Sequence, residues 1–98
     1  MPYTIEELQR LISPIARRHG VKSVAVFGSY SRGAATENSD VDLLIEKGSI
    51  RSLFQLSGFR LDVEDALHLP VDLVTTESSD TAFVEMISKD KVQLYGNA

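Results

Sequence analysis

The sequence predicts an α/β (α+β) fold in which helices pack on a mixed β-sheet. The predicted elements alternate as helix, strand, loop, strand, helix, strand and helix, followed by a last short strand at Val92 to Tyr95. A long helical pattern joins the second strand to the third, and this favours a right-handed parallel crossover. About a dozen residues separate the first strand from the second, which favours antiparallel pairing of those two strands. Together the two kinds of pairing make the predicted sheet mixed.

The first helix begins at a capping box. Thr4 is placed to accept a hydrogen bond from the third backbone amide of the helix, and Glu7 to reach back toward Thr4. Apolar residues then recur at helical spacing as far as a basic triplet before Gly20, where the helix is expected to end. Pro14 lies inside this pattern, and because proline disfavours a helix interior we expect one helix bent near Arg10.

Three apolar runs predict the buried strands of the sheet. Each run is short, rich in Val, Leu or Ile, and followed or preceded by glycine, proline or polar residues. The three runs are Ser23 to Phe27, Val41 to Ile45 and Val71 to Thr75. After the third run, Ser78-Ser79-Asp80 is expected to cap a short helix.

Residues 50–68 predict a second helix with a wide apolar surface. Four apolar residues fall on one face and three more spread beyond it: the face carries Leu53, Leu56, Val63 and Leu67, and the others are Phe54, Phe59 and Leu61. Packing on a single small sheet requires a narrower stripe than this. The surplus apolar surface of this helix predicts contact with a partner protein or self-association into a homo-oligomer.

Length and composition limit the classes of protein to which the chain can belong. Its 98 residues fit one domain, and we take residues 1–98 as that domain. The formal net charge of −4 argues against binding to nucleic-acid backbones, which depends on Lys and Arg. The absence of cysteine excludes disulfides and thiolate metal sites. Neither a signal peptide nor a membrane span is predicted, so we expect a cytoplasmic protein without membrane attachment.

Three aspartates lie at the predicted starts of two strands. Asp40 and Asp42 are one residue apart, and strand alternation points both carboxylates to the same side. Adjacent carboxylates repel unless one is protonated or both share a cation, and at neutral pH Mg²⁺ is the usual solution. Asp72 opens the next strand and could complete a three-carboxylate site. Such a site can hold two ions and stabilise both the attacking and the leaving oxygen in phosphoryl or nucleotidyl transfer.

A candidate phosphate-binding loop follows the first strand. Gly28 allows backbone amides to approach a phosphate closely, Ser29 offers a hydroxyl donor, and Arg32 offers a guanidinium. The segment is not a Walker A loop, because G-x-x-x-x-G-K-[ST] is absent. It is not a serine-hydrolase elbow either, because G-x-S-x-G would need glycine where Ser29 stands.

The candidate phosphate-binding loop and the first two aspartates together form a specific sequence pattern. Gly28-Ser29, ten intervening residues and Asp40-Val41-Asp42 read as G-S-x10-D-x-D. With the flanking residues FGSYSRG and SDVDLLI, the chain resembles the DNA polymerase beta-like nucleotidyltransferases. The short chain and the segment PVDLV, which contains Asp72, resemble the minimal nucleotidyltransferase branch. The resemblance extends over about residues 5–95, and its specific part is the segment 28–42.

The resemblance implies the nucleotidyltransferase fold and an enzyme that transfers a nucleoside monophosphate, AMP from ATP, to an acceptor hydroxyl. It implies that Gly28 and Ser29 hold the triphosphate, with Arg32 nearby. Members of this branch often act as antitoxins that inactivate a HEPN-domain toxin by adding AMP to a tyrosine. We therefore expect ATP as the substrate and a HEPN toxin as the partner.

The same resemblance assigns roles to the three aspartates. It implies that Asp40 and Asp42 bind Mg²⁺, with two ions in the site. It implies that Asp72 binds the second ion and helps to deprotonate the acceptor. The alternative is a non-catalytic binding module that neutralises a toxin by forming a complex with it. Transfer to a small-molecule antibiotic is a third reading, and the lack of a second domain to enclose such a substrate counts against it.

Overall fold

The computed structural model describes residues 2–77 and 80–96. Within these residues the chain forms three helices and one four-stranded mixed sheet, in the order α1 (Ile5–His19), β1 (Ser23–Phe27), β2 (Val41–Glu46), α2 (Leu53–Leu67), β3 (Val71–Thr75), α3 (Thr81–Ser88) and β4 (Val92–Tyr95). The predicted mixed sheet with packed helices is confirmed. Ser78 and Ser79, expected to help cap α3, lie outside the described residues, and Asp80 is the N-cap, with its side chain accepting from the amide of Phe83.

The strand order is β3-β2-β1-β4, with β3 and β4 at the two edges. β1 pairs antiparallel with β2 and with β4, whereas β2 and β3 are parallel. The parallel pair requires a crossover, and α2 supplies it, as the sequence predicts. Because of this topology, the C-terminal end of β1 lies beside the N-terminal ends of β2 and β3.

Local signals explain where the helices begin and end. In α1 both hydrogen bonds of the capping box are present, from the Glu7 amide to Thr4 Oγ1 at 3.1 Å and from the Thr4 amide to Glu7 Oε1 at 2.9 Å. Gly20 ends the helix in a left-handed conformation, with φ of 70°. Pro14 lies inside α1, which remains one helix as expected.

The two faces of the sheet carry different cores. The larger core lies between the sheet and helices α1 and α2, and its fully buried side chains include Leu8, Ile12, Val24, Leu43 and Phe59. A smaller core on the opposite face consists of Phe27, Leu44 and Ile87, with Ile87 supplied by α3. Alternation along β2 separates the two cores: Leu43 faces α1 and α2, and its neighbours on either side face α3.

The predicted buried face of α2 is wrong at two positions. Phe59, expected beyond that face, is fully buried and meets the His19 ring edge-on, with 5.7 Å between the ring centroids. Leu53, expected on the face, is 81% exposed because it opens the helix before the turns that pack on the core. Phe54 is 89% exposed and Leu61 is 56% exposed, so α2 does carry apolar surface that the chain itself does not cover.

None of the helices among the described residues has both the length and the apolar character needed to cross a membrane.

Candidate active site at the sheet edge

Strand register brings the two halves of the sequence motif together. Phe27, the last residue of β1, is the partner of Asp42 in β2, and Asp42 is in turn the partner of Asp72 in β3. Gly28 follows Phe27 directly and therefore lies beside Asp42. The strand directions predict that Gly28-Ser29, Asp40, Asp42 and Asp72 converge at this end of the sheet, and the register brings Gly28, Asp42 and Asp72 together there.

Gly28 lies against the carboxylate of Asp42, at a position where a residue with a Cβ would not fit. Its φ is 71°, a left-handed conformation that side chains with a Cβ rarely adopt. A Cβ built at this position would collide with Asp42 Oδ2. The glycine is thus required both by the backbone conformation and by the position of the carboxylate.

The loop after β1 is held as a compact helical turn. The Gly28 carbonyl accepts from the Arg32 amide at 3.2 Å and from Ser31 Oγ at 2.9 Å. The Ser29 carbonyl accepts from the Ala34 amide at 2.9 Å. Tyr30 is buried in the larger core and fixes the turn to the body of the protein. Ser29 is half-buried and Arg32 is exposed, so both predicted phosphate-binding side chains lie on a well-anchored turn.

The electrostatics of the site centre on Asp42, which is half-buried while Asp40 and Asp72 are exposed. Burial raises the pKa of the Asp42 carboxyl above its ordinary value, and the negative charges of Asp72 and Asp40 and a hydrogen bond with Asp72 act in the same direction. The Arg32 guanidinium opposes this rise in pKa. The charges of Asp40, Asp72 and Arg32, which come from three separate segments, therefore all act on the Asp42 carboxyl.

The residues present fit a single Mg²⁺ ion better than a preformed multi-ligand cage. Among residues 2–77 and 80–96, no three Asp, Glu, His or Cys side chains are arranged to hold a metal ion. Mg²⁺ is commonly bound by only one or two carboxylates, with substrate phosphates and water completing its shell. Asp42 and Asp72 supply two carboxylates within hydrogen-bonding reach of each other, and a cation between them would relieve the repulsion that raises the pKa of Asp42.

A small cavity of about 130 Å³ opens beside Gly28 and was not anticipated from the sequence. Its lining residues come from β1, the loop and the α3 region: Phe27, Gly28, Arg32, Met86, Ile87 and Asp90. Nothing in the local sequence of α3 indicates a role at the site. That helix reaches the cavity only because it packs on the sheet face that carries Phe27.

The chain is similar in sequence to known nucleotidyltransferases. The sequence profile of the nucleotidyltransferase domain family matches residues 8–95. The protein adenylyltransferase MntA of Thermococcus cleftensis is 34% identical over 93 residues, which cover 91% of this chain and 94% of that protein. Every candidate site residue described above falls within the span that the family profile matches.

Two solved structures resemble the fold closely. A crystal structure of a toxin–antitoxin with AMP-PNP has a TM-score of 0.79 and 25% identity, covering 91% of this chain and 73% of that chain. The second is tri-AMPylated Shewanella oneidensis HEPN toxin in complex with MNT antitoxin, with a TM-score of 0.74 and 21% identity, covering 96% of this chain and 74% of that chain. At 21% identity the second likeness is one of fold alone.

Proposed function

This chain belongs to the nucleotidyltransferase domain family, and from that premise we propose that residues 1–98 act as a minimal nucleotidyltransferase domain that adenylylates a partner protein. The transferred group is AMP, the donor is ATP, and the acceptor is the hydroxyl of a tyrosine on a HEPN-domain toxin. The modification silences the toxin, so the chain acts as its antitoxin.

The observation that carries this proposal is the in-register row formed by Phe27, Asp42 and Asp72, with Gly28 beside it. This row supports a site in which a phosphate-binding turn and two carboxylates face the same volume. Clustered carboxylates are costly in a protein that only binds a partner, because their mutual repulsion disfavours the charged forms. A nucleotidyltransferase needs them, because they hold the cation that neutralises the triphosphate.

The chemistry assigns one task to each segment. Backbone amides and the Ser29 hydroxyl in the turn bind the triphosphate, and Arg32 adds positive charge to it. Asp42 and Asp72 would hold Mg²⁺, with Asp40 adding negative charge beside them, and the ion when bound would supply positive charge to the attacking and leaving oxygens. Asp72 accepts the proton of the acceptor hydroxyl.

The bond changes balance as a simple displacement. The acceptor oxygen forms a bond to the α-phosphorus of ATP, and the bond from that phosphorus to the bridging oxygen of the β-phosphate breaks. Pyrophosphate leaves with the bonding pair, and the acceptor proton passes through Asp72 to solvent. The products are the AMP ester of the acceptor and pyrophosphate.

Both the partner and the nucleotide are supported by the solved structures that this fold resembles. One of those complexes holds AMP-PNP, an ATP analogue, and the other holds an AMP-modified HEPN toxin. The exposed apolar residues Leu53 and Phe54 on α2 are consistent with a chain that works against a partner surface. Self-association into a homo-oligomer stays a prediction, testable by light scattering of the purified chain.

The test is transfer of radiolabel from α-labelled ATP, with Mg²⁺, to the purified protein encoded by the adjacent reading frame. We expect label on a tyrosine of that protein, and loss of labelling in Asp42→Asn. Asp65→Asn is the matched control, because Asp65 is an exposed carboxylate on α2, a helix that contributes none of the candidate site residues. It should label like the wild type.

Two outcomes would contradict the proposal. Labelling that persists when Asp40→Asn and Asp42→Asn are combined would remove the catalytic role of the carboxylates. Toxin neutralisation that survives this double substitution without any labelling would establish the alternative, in which the chain neutralises its partner by binding alone.

A further inference from the structure

Tyr30, on the phosphate-binding turn, buries a hydroxyl group within the larger core. Only 6% of the residue is exposed, and in the part of the chain that the structure describes its hydroxyl has no hydrogen-bond partner. A buried hydroxyl without a partner costs free energy, because it has given up its bonds to water and gained none in exchange. The Tyr30 ring is therefore kept in the core by packing alone, and its hydroxyl favours a return to solvent.

The N-terminal residues Pro2 and Tyr3 lie beside Tyr30. Two clefts, of about 290 and 380 Å³, open at this part of the surface, and Pro2, Tyr3 and Tyr30 line both of them. Gly33, from the loop after β1, lines the first cleft, and Leu67, the last residue of α2, lines the second. Pro2 and Tyr3 thus separate the two clefts and help to close the core over Tyr30.

Tyr3 is held in this position from two directions. Its hydroxyl donates to the Leu67 carbonyl at 2.7 Å, which connects residues that are 64 positions apart. Thr4, the next residue, is the N-cap of α1 and makes both hydrogen bonds of the capping box with Glu7. The Tyr3 ring also packs against the larger core. Tyr3 is therefore a fixed neighbour of Tyr30.

We infer that Tyr3 is a positioning residue for the nucleotide, acting through Tyr30 on the phosphate-binding turn. The inference rests on the nucleotide binding proposed above. Packing of Tyr3 keeps the Tyr30 ring in the core, and this closes the turn that carries Ser29 and Arg32 in its binding conformation. Loss of the Tyr3 ring lets the Tyr30 hydroxyl reach water, so the turn is closed for only part of the time. The apparent affinity for ATP then falls in proportion to the closed fraction.

The test compares two partly buried tyrosines that pack on the same core. Tyr3→Ala removes the ring beside Tyr30, whereas Tyr95→Ala removes a ring from β4, where Tyr95 pairs with Val24 toward the end of β1 remote from Gly28. Affinity for AMP-PNP with Mg²⁺ is measured by calorimetry, and thermal melts confirm that both variants are folded at the temperature used. Transfer to the adjacent-frame protein gives the KM for ATP separately from kcat.

We expect Tyr3→Ala to weaken AMP-PNP binding, and to raise the KM for ATP, by about tenfold, a change in population that an unpartnered buried hydroxyl is able to drive. Its kcat should stay at the wild-type value, because saturating ATP selects the closed turn. A variant that was merely less stable would lose active molecules and therefore kcat. Tyr95→Ala should bind AMP-PNP like the wild type, and so should Tyr3→Phe, which keeps the ring and loses only the hydrogen bond to Leu67.

Tyr30→Phe tests the role of the hydroxyl directly. Because this substitution removes the group that favours solvent, Tyr3→Ala should weaken AMP-PNP binding by less than about twofold in the Tyr30→Phe background. Three results would overturn the inference while leaving the proposed transfer intact: unchanged affinity in Tyr3→Ala, equal losses for Tyr3→Ala and Tyr95→Ala, or equal losses for Tyr3→Ala in the two backgrounds. A wild-type chain that binds no AMP-PNP would overturn both.

Discussion

Replacing Gly28 by alanine perturbs the backbone and the candidate site at once, and Gly33 allows the two effects to be separated. Both glycines lie in the loop after β1 and both have φ of 71°. A Cβ at Gly33 meets no atom within 4 Å, whereas a Cβ at Gly28 collides with Asp42 Oδ2. Gly33→Ala therefore measures backbone strain alone, and Gly28→Ala measures the same strain together with displacement of the carboxylate.

The expected magnitudes follow from these two terms. A left-handed conformation costs a residue with a Cβ roughly 1–2 kcal/mol, and alanine recovers about 0.4–1 kcal/mol by restricting the unfolded chain. Gly33→Ala should thus lose roughly 1 kcal/mol, or about 4–8 °C in Tm for a domain of this size. The collision at Gly28 adds about 1–3 kcal/mol, which is the usual range for overpacking. Gly28→Ala should also weaken binding of AMP-PNP, and Gly33→Ala should not.

A double-mutant cycle with Asp42→Ala identifies the source of the difference. Without the carboxylate, the nearest atom of residue 42 to a Cβ at Gly28 is its own Cβ, at 3.6 Å, which is an ordinary van der Waals contact. In that background Gly28→Ala should cost no more than Gly33→Ala, which gives a coupling of about 1–3 kcal/mol. Urea unfolding of the four proteins measures it. Equal losses of stability for Gly28→Ala and Gly33→Ala in the wild-type background would refute the reasoning, because Asp42 would then not lie against Gly28.

Three further predictions concern stability. The pKa of Asp42 is raised above 3.8, so at a pH just above 3.8 the folded chain keeps a proton there that the unfolded chain has released. The free energy of unfolding therefore falls as pH rises through this interval. Urea unfolding in EDTA should therefore find Asp42→Asn more stable than the wild type at pH 7 and less sensitive to pH between 4 and 7; lower stability at pH 7 would contradict this. Tyr3→Phe removes the 2.7 Å hydrogen bond from the Tyr3 hydroxyl to the Leu67 carbonyl and should lower the free energy of unfolding by about 1 kcal/mol, and no change would show that the bond is not formed in solution. Phe59→Ala should lose about 3–5 kcal/mol because Phe59 is fully buried, whereas Phe54→Ala, at 89% exposure on the same helix, should stay within about 0.5 kcal/mol of the wild type; similar losses would contradict the orientation of α2.

The strands were predictable because each is a continuous apolar run with a sharp boundary. Ser23 to Phe27 ends at a glycine and Val71 to Thr75 follows a proline, and both have the predicted bounds in the structure. The second strand extends one residue further, to Glu46, because its backbone continues to pair with Ser23. The pairing directions followed from connection lengths alone, and so did the convergence of Gly28, Asp42 and Asp72.

The orientation of α2 was harder to predict, because this helix is apolar around much of its circumference. Spacings of three and four residues connect Leu56, Phe59 and Val63 as well as the predicted face that contains Leu53 and Leu67, and periodicity does not rank one set above the other. The deciding contacts are tertiary. The His19 ring lies beside Gly58 and meets Phe59, and its Nε2 lies 2.7 Å from Asp62 Oδ2. None of these pairs is visible in a local pattern. For the same reason the cavity beside α3 emerged only from the folded chain.

The candidate site depends on correct strand pairing, because Phe27, Asp42 and Asp72 come together only when β1, β2 and β3 pair in this register. Side chains alternate along a strand, so a slip of β3 by one residue against β2 would exchange Asp72 for an apolar neighbour and turn its carboxylate toward α1 and α2. The two aspartates are thirty positions apart, with the whole of α2 between them. In the transfer that we propose, a nascent or misregistered chain would be inert, and the site would form only when the crossover closes correctly.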